Sequence, residues 1–160
     1  MQSLDVEDEV NYLYSNLYNI IMIKKIFYSL IIIFVLIVGF FLMQSRTFFL
    51  VAAVLGLLFS GLGIYFIILV KKSKQKKKLF LYMTGISAAS ILPAVILHNF
   101  FYALGIITEN ILLLKVFFEF LHVAFFLFAI PVCPIMFIVG VIGTLFKLKK
   151  RDLSKRPKLK

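Results

Sequence analysis

Cysteine is all but absent. Cys133 is the only one in 160 residues, so an intramolecular disulfide and a cysteine-cluster zinc site are both excluded. Tryptophan is missing, histidine occurs twice, and acidic residues number seven. So small a stock of reactive groups excludes most acid–base and nucleophilic machinery. No nucleophile stands with a base, no phosphate-binding glycine loop is present, and no carboxylate array interrupts the apolar segments. Four of the acids, Asp5, Glu7, Asp8 and Glu9, crowd the first ten residues. A secretory signal needs a basic start there and a small-residue cleavage site after its apolar run. The first apolar run therefore reads as a retained anchor.

What is abundant is apolar. Hydrophobic residues make up 62% of the chain, and 19 residues are Phe. Soluble domains contain about 45–50% apolar residues, so the surplus points to lipid as the solvent. The net charge of +11 is not spread as a nucleic-acid surface would need. It is gathered in clusters that flank apolar runs, which is a topology signal, and no nucleic acid is expected as a partner. The densest cluster, Lys71 to Lys78, puts six lysines in eight residues. A lysine at the centre of a membrane helix costs about 2.5–3.5 kcal/mol, so this run must lie in water or among headgroups.

A membrane span needs about 20 apolar residues. The sequence predicts an all-α membrane protein with four such helices, at about 26–43, 48–70, 79–104 and 116–143. A short turn is expected over 105–110. Pro131 and Pro134 should bend the long fourth span, since each removes a donor and crowds the preceding turn. Residues 1–25 read as a short cytoplasmic amphipathic helix, with Val6, Val10, Leu13, Leu17 and Ile20 on one stripe. A frayed tail is the other reading of this segment. Residues 26–146 form the membrane domain, and 147–160 a basic cytoplasmic tail. Basic loops are held on the cytoplasmic side. With both termini inside, 16 of the 18 Lys and Arg residues fall there, and only Arg46 and Lys115 fall outside. The Lys71–Lys78 loop and the Lys147–Lys160 tail should also attract anionic lipid headgroups, at roughly 1 kcal/mol per basic residue near the surface.

Two sets of residues are candidates for function. Ala52, Gly56, Ser60 and Gly63 recur on one face of the second span. Small residues let backbones approach in lipid, so this face either packs inside the bundle or joins copies in an oligomer. The second set is His98, Glu119 and His122. Glu119 is the one carboxylate within a span, and the short turn should bring His98 to the depth of His122. Ionisable residues inside a membrane mark functional sites by default. Three such N/O groups suit a divalent metal or a proton relay. Alternatively Lys115, at i−4 from Glu119, pairs with it, and the histidines bond across helices to Asn99, Tyr102 or Thr108. No arginine cluster stands ready for haem propionates, so haem is not expected. No cofactor is required by the sequence, a divalent metal being the alternative.

Known four-span formats match in size alone. Small multidrug-resistance exporters carry a carboxylate in their first span, and residues 26–43 have none. Membrane-associated eicosanoid and glutathione enzymes place arginines along their helices, whereas Arg46, Arg151 and Arg156 all lie outside the spans here. The expectation is a small non-enzymatic multi-pass protein of accessory, scaffold or assembly type, working as a homo-oligomer or in a larger membrane complex. The alternative is a small oligomeric transporter or ion-coupled protein with a His/Glu polar site near the outer leaflet.

Overall fold

The computed structural model describes residues 2–42, 46–73 and 78–154, and all of its regular structure is helical. The order is α1 (Gln2–Leu42), α2 (Arg46–Lys72), α3 (Leu79–Ile107), α4 (Leu112–Leu127), a π turn (Phe128–Val132) and α5 (Cys133–Ser154). Four stretches are long and apolar enough to cross a membrane: Leu17–Phe40, Leu50–Lys72, Leu79–Ile107 and Leu112–Lys149. The chain is therefore read as an integral multi-pass membrane protein. Residues 43–45, 74–77 and 155–160 lie outside the described residues, and with them the middle of the lysine loop and the end of the tail. The side chains of Asp5, Glu7, Asp8 and Glu9 do so as well.

No separate amphipathic helix precedes the first span among the described residues. One helix runs from Gln2 to Leu42. The reason is local: no Pro or Gly occurs between residues 2 and 38, so nothing breaks the backbone where composition changes from polar to apolar.

The fourth span bends where its prolines predict. Pro131 cannot donate and would collide with the carbonyl four residues back. The chain answers with the π turn at Phe128–Val132, where the Cys133 N–H reaches the Phe128 carbonyl. This wider ring is how a helix absorbs such a conflict without stopping. Pro134 falls in the first turn of α5, where a missing N–H is tolerated.

α3 is the central element, touching α2, α4 and α5, while α1 rests on α2. Two close approaches hold it. On one side Gly63 of α2 meets α3 backbone to backbone: a Cβ there would lie 2.6 Å from the Ala89 nitrogen and 2.9 Å from the Ala88 Cβ. The Ser60 hydroxyl donates to the Ala88 carbonyl at 3.0 Å beside it. On the other side Gly140 and Gly143 of α5 lie against Thr84 and Phe80. The Lys147 ammonium sits 4.2 Å from the Phe80 ring centre, so that ring is held between Gly143 and Lys147. In lipid the apolar effect gives helices little reason to associate, and such close contacts supply the attraction.

The closest packing lies toward the lysine end, where Lys71, Lys78 and Lys147 gather around α2, α3 and α5. Phe27 and Leu30 of α1, Phe59 and Phe66 of α2, and Phe137 of α5 are fully buried. Phe34, Phe59 and Phe137 meet across three helices, with ring centres 4.6 Å (Phe34–Phe137) and 5.2 Å (Phe59–Phe137) apart. The opposite end is open. Every residue of α4 is at least partly exposed, and α4 packs on α3.

Candidate functional site

The site lies where α3 and α4 pair near the tip of their hairpin. The tip is closed by a chain of short bonds. Thr108 returns both its N–H and its hydroxyl to the Leu104 carbonyl, at 3.0 and 2.7 Å, and Ile111 N–H donates to the Thr108 carbonyl at 2.9 Å. The turn falls later than 105–110, because Gly105 is still helical. It faces α4, and a Cβ there would stand in ordinary contact, 3.9 Å from Phe118 and Glu119.

This tight turn places His98 directly across from His122. The two imidazoles stack, with centres 4.1 Å apart and planes inclined by 22°. His98 Nδ1 is 3.1 Å from the His122 carbonyl, and His122 Nδ1 is 3.3 Å from the His98 carbonyl. A carbonyl only accepts, so each Nδ1 carries a proton and donates it. Both rings are thereby set in the Nδ1–H tautomer, leaving each Nε2 with its lone pair when the ring is neutral. The pair forms a reciprocal clasp from α3 to α4. Phe126 flanks His98 at 5.3 Å and Tyr102 flanks His122 at 5.0 Å between ring centres.

Among the described residues, no three His, Cys, Asp or Glu side chains gather as ligands for an ion. The reason is geometric. The lone pairs of an imidazole lie in its plane, so stacked rings turn their π faces to each other and their nitrogens to the rim. Glu119 instead stands 4.0 Å from Lys115 one turn back on α4, and both side chains are about half exposed. Of the three residues expected to share a site, His98 pairs with His122, Glu119 pairs with Lys115, and Glu119 and His122 line one groove.

Beside the clasp is an open groove of about 190 Å³. Tyr102, Gly105, Glu109, Lys115, Glu119 and His122 supply its polar and close-approach surface. Glu109, on the turn itself, makes no ion pair among the described residues. Its place here was hidden in the sequence, because a carboxylate on a turn reads as ordinary solvated charge.

The polar side chains of α3 divide by depth. Thr84, Ser87 and Ala88 are buried, and the two hydroxyls donate to the carbonyls four residues back. Asn99 and Tyr102 are exposed, and Asn99 returns its amide to the Val95 carbonyl at 2.9 Å. Beyond Ala94, the last buried residue of α3 before Gly105, α4 is the helix that covers this face. Of the small-residue set on α2, Ser60 and Gly63 are spent on α3, while a Cβ at Gly56 would meet nothing within 4 Å and Ala52 is half-buried. Compared with known protein families, curated proteins and solved structures, the chain matches none.

Proposed function

We propose that this protein is a non-enzymatic component of a membrane assembly, acting as an accessory or scaffold rather than as a conduit. The observation that carries the reading is the distribution of packing. Aromatic side chains fill the bundle from the lysine end to the middle of the spans, with Phe66 at 0% and Phe27 at 1% exposure toward the lysines and Phe59 at 0% and Phe137 at 1% near mid-span. The ionisable groups of the spans gather near the opposite tip. A carrier needs a polar route that can open to each side in turn, and a protomer sealed by close-packed Phe offers none. α4, which packs mainly on α3 and has no fully buried residue along its apolar surface, is the element best placed to meet a neighbouring protein or a second copy. The open Ala52–Gly56 stretch of α2 is the other.

In this reading both termini and the lysine loop face the cytoplasm, and the clasp lies near the outer leaflet. Residues 2–16 of α1 extend from the membrane as its amphipathic part, and the Lys71–Lys78 and Lys147–Lys160 segments hold anionic headgroups. Purified protein in sealed vesicles tests it. The protein should conduct neither protons nor alkali cations above the empty-vesicle rate, and should migrate in native membranes as an assembly larger than a monomer. Proton or cation flux lost on His122→Ala would overturn the reading in favour of an ion-coupled transporter.

A further inference from the structure

We infer that the groove between α3 and α4 binds a primary ammonium group accompanied by an anion, the chemistry of an ethanolamine headgroup. The inference is independent of the accessory role.

The groove is built mainly of acceptors. Glu109 and Glu119 bring two carboxylates. His122 lines the groove, and its Nδ1–H is spent on the His98 carbonyl. What remains to the neutral ring is the acceptor Nε2. Three acceptor groups match the three donors of an ammonium. A quaternary amine, which has no N–H to give, would leave them unsatisfied. Tyr102 adds an aromatic surface, which favours a cation. Glu109 is the key group, because it has no counter-ion among the described residues.

One cation stands in this ring of acceptors. Lys115 is 4.0 Å from Glu119 on the same wall, too long and too exposed a pair to neutralise either group fully. It is positioned to receive a phosphate while the carboxylates take the amine. Both signs of a zwitterion are therefore matched in one groove. The size agrees: 190 Å³ is below the ~300–1,000 Å³ of sites for drug-sized molecules. Depth agrees as well. A straight helix from Glu119 to Lys147 would rise about 42 Å, and the bend at Phe128–Val132 shortens this only in part, so the span is comparable to the ~40–45 Å thickness of a bilayer with its headgroups. With Lys147 among the headgroups of one surface, the groove lies among those of the other.

The ligand can come from the bilayer or from solution, and the test separates the two. Full-length protein is delipidated in detergent and equilibrated with equal amounts of phosphatidylethanolamine, phosphatidylcholine and phosphatidylglycerol. Retained lipid is read by native mass spectrometry, in parallel with binding of free phosphoethanolamine. Phosphatidylethanolamine should be retained over each of the others by about tenfold, and Glu109→Gln should remove most of that preference. Glu109 is exposed on a turn, so this variant keeps the fold, and protection of the buried Cys133 thiol verifies that it does. Binding of free phosphoethanolamine that is lost in Glu109→Gln, without lipid selection, would support the same site with a soluble ligand. Equal retention of the three lipids together with no binding of free phosphoethanolamine would overturn the inference. So would selection that survives both Glu109→Gln and Glu119→Gln.

Discussion

Adding one methyl group at Gly63 tests the α2–α3 contact most sharply. In Gly63→Ala the new Cβ would stand 2.6 Å from the Ala89 nitrogen and 3.0 Å from the Ala88 carbonyl carbon. These are backbone atoms inside a helix, so no side chain can swing aside. Reaching ordinary contact at 3.4 Å requires the helices to part by about 0.8 Å, and overpacking of this kind costs about 1–3 kcal/mol. Separation also stretches the Ser60 bond to the Ala88 carbonyl from 3.0 Å, and interhelical bonds in membranes contribute about 0.6 kcal/mol on average. A total near 2 kcal/mol corresponds to a fall of up to about 30-fold in the folded-to-unfolded ratio. Cys133 supplies the assay, being the only cysteine of the chain and 2% exposed. Maleimide labelling in mixed micelles across an SDS titration reports unfolding without an added probe. Gly56→Ala and Gly61→Ala are the controls, since a Cβ at either meets nothing within 4 Å. They should be no less stable than the wild type, and the better helix propensity of Ala can add up to about 1 kcal/mol. Gly63→Ala no less stable than the wild type, or controls as damaging as Gly63→Ala, would refute the contact.

Other consequences follow from the same geometry. His98→Ala and His122→Ala should each destabilise modestly, and the double variant should cost clearly less than their sum, with a coupling of about 1 kcal/mol. Both bonds end on backbone carbonyls that alanine keeps, so the coupling reads the stacking of the two rings, and additive effects would mean that the stacking contributes nothing. Lys115→Ala should change unfolding by no more than about 0.5 kcal/mol, because its pair with Glu119 is exposed and 4.0 Å long. A loss above 2 kcal/mol in the same titration would show the pair to be structural. Gly143→Ala would bring a Cβ within 2.4 Å of the Phe80 ring and should destabilise by about 1–3 kcal/mol. Combining it with Phe80→Leu should recover part of that loss, and no recovery would place the strain elsewhere.

How much of this was legible follows from which forces leave a mark on sequence. Membrane spans are written in composition, because charge is excluded from lipid: the lysines at 71–78 and 147–150 bracket the apolar runs. The bend at Pro131 is equally direct, since proline acts on its own helix. The meeting of His98 with His122 follows from a short turn and equal depth. Other features depend on neighbours. Gly105 resembles the start of a turn, yet the helix continues to Ile107 and uses that glycine to admit α4. The start of the first span is visible as a change of composition, but nothing there breaks the helix, so α1 runs through it. The histidines give their Nδ1 protons to backbone carbonyls on the facing helix, a choice of rotamer and partner that residue types do not encode. Asn99 and Tyr102 share a wheel face with Thr84 and Ser87, but they lie beyond the level at which α2 and α5 cover that face.

Membrane arrangement underlies every functional statement made of this chain, and cysteine accessibility in intact cells measures it. Single cysteines are placed at Arg46, Lys72, Asn110 and Ser154, with Cys133 replaced by serine, and labelled by an impermeant maleimide before and after permeabilisation. Arg46→Cys and Asn110→Cys should react from outside, while Lys72→Cys and Ser154→Cys should react only once the membrane is opened. External labelling of Lys72→Cys, an exposed position at the lysine end where α2 gives way to α3, would contradict the account.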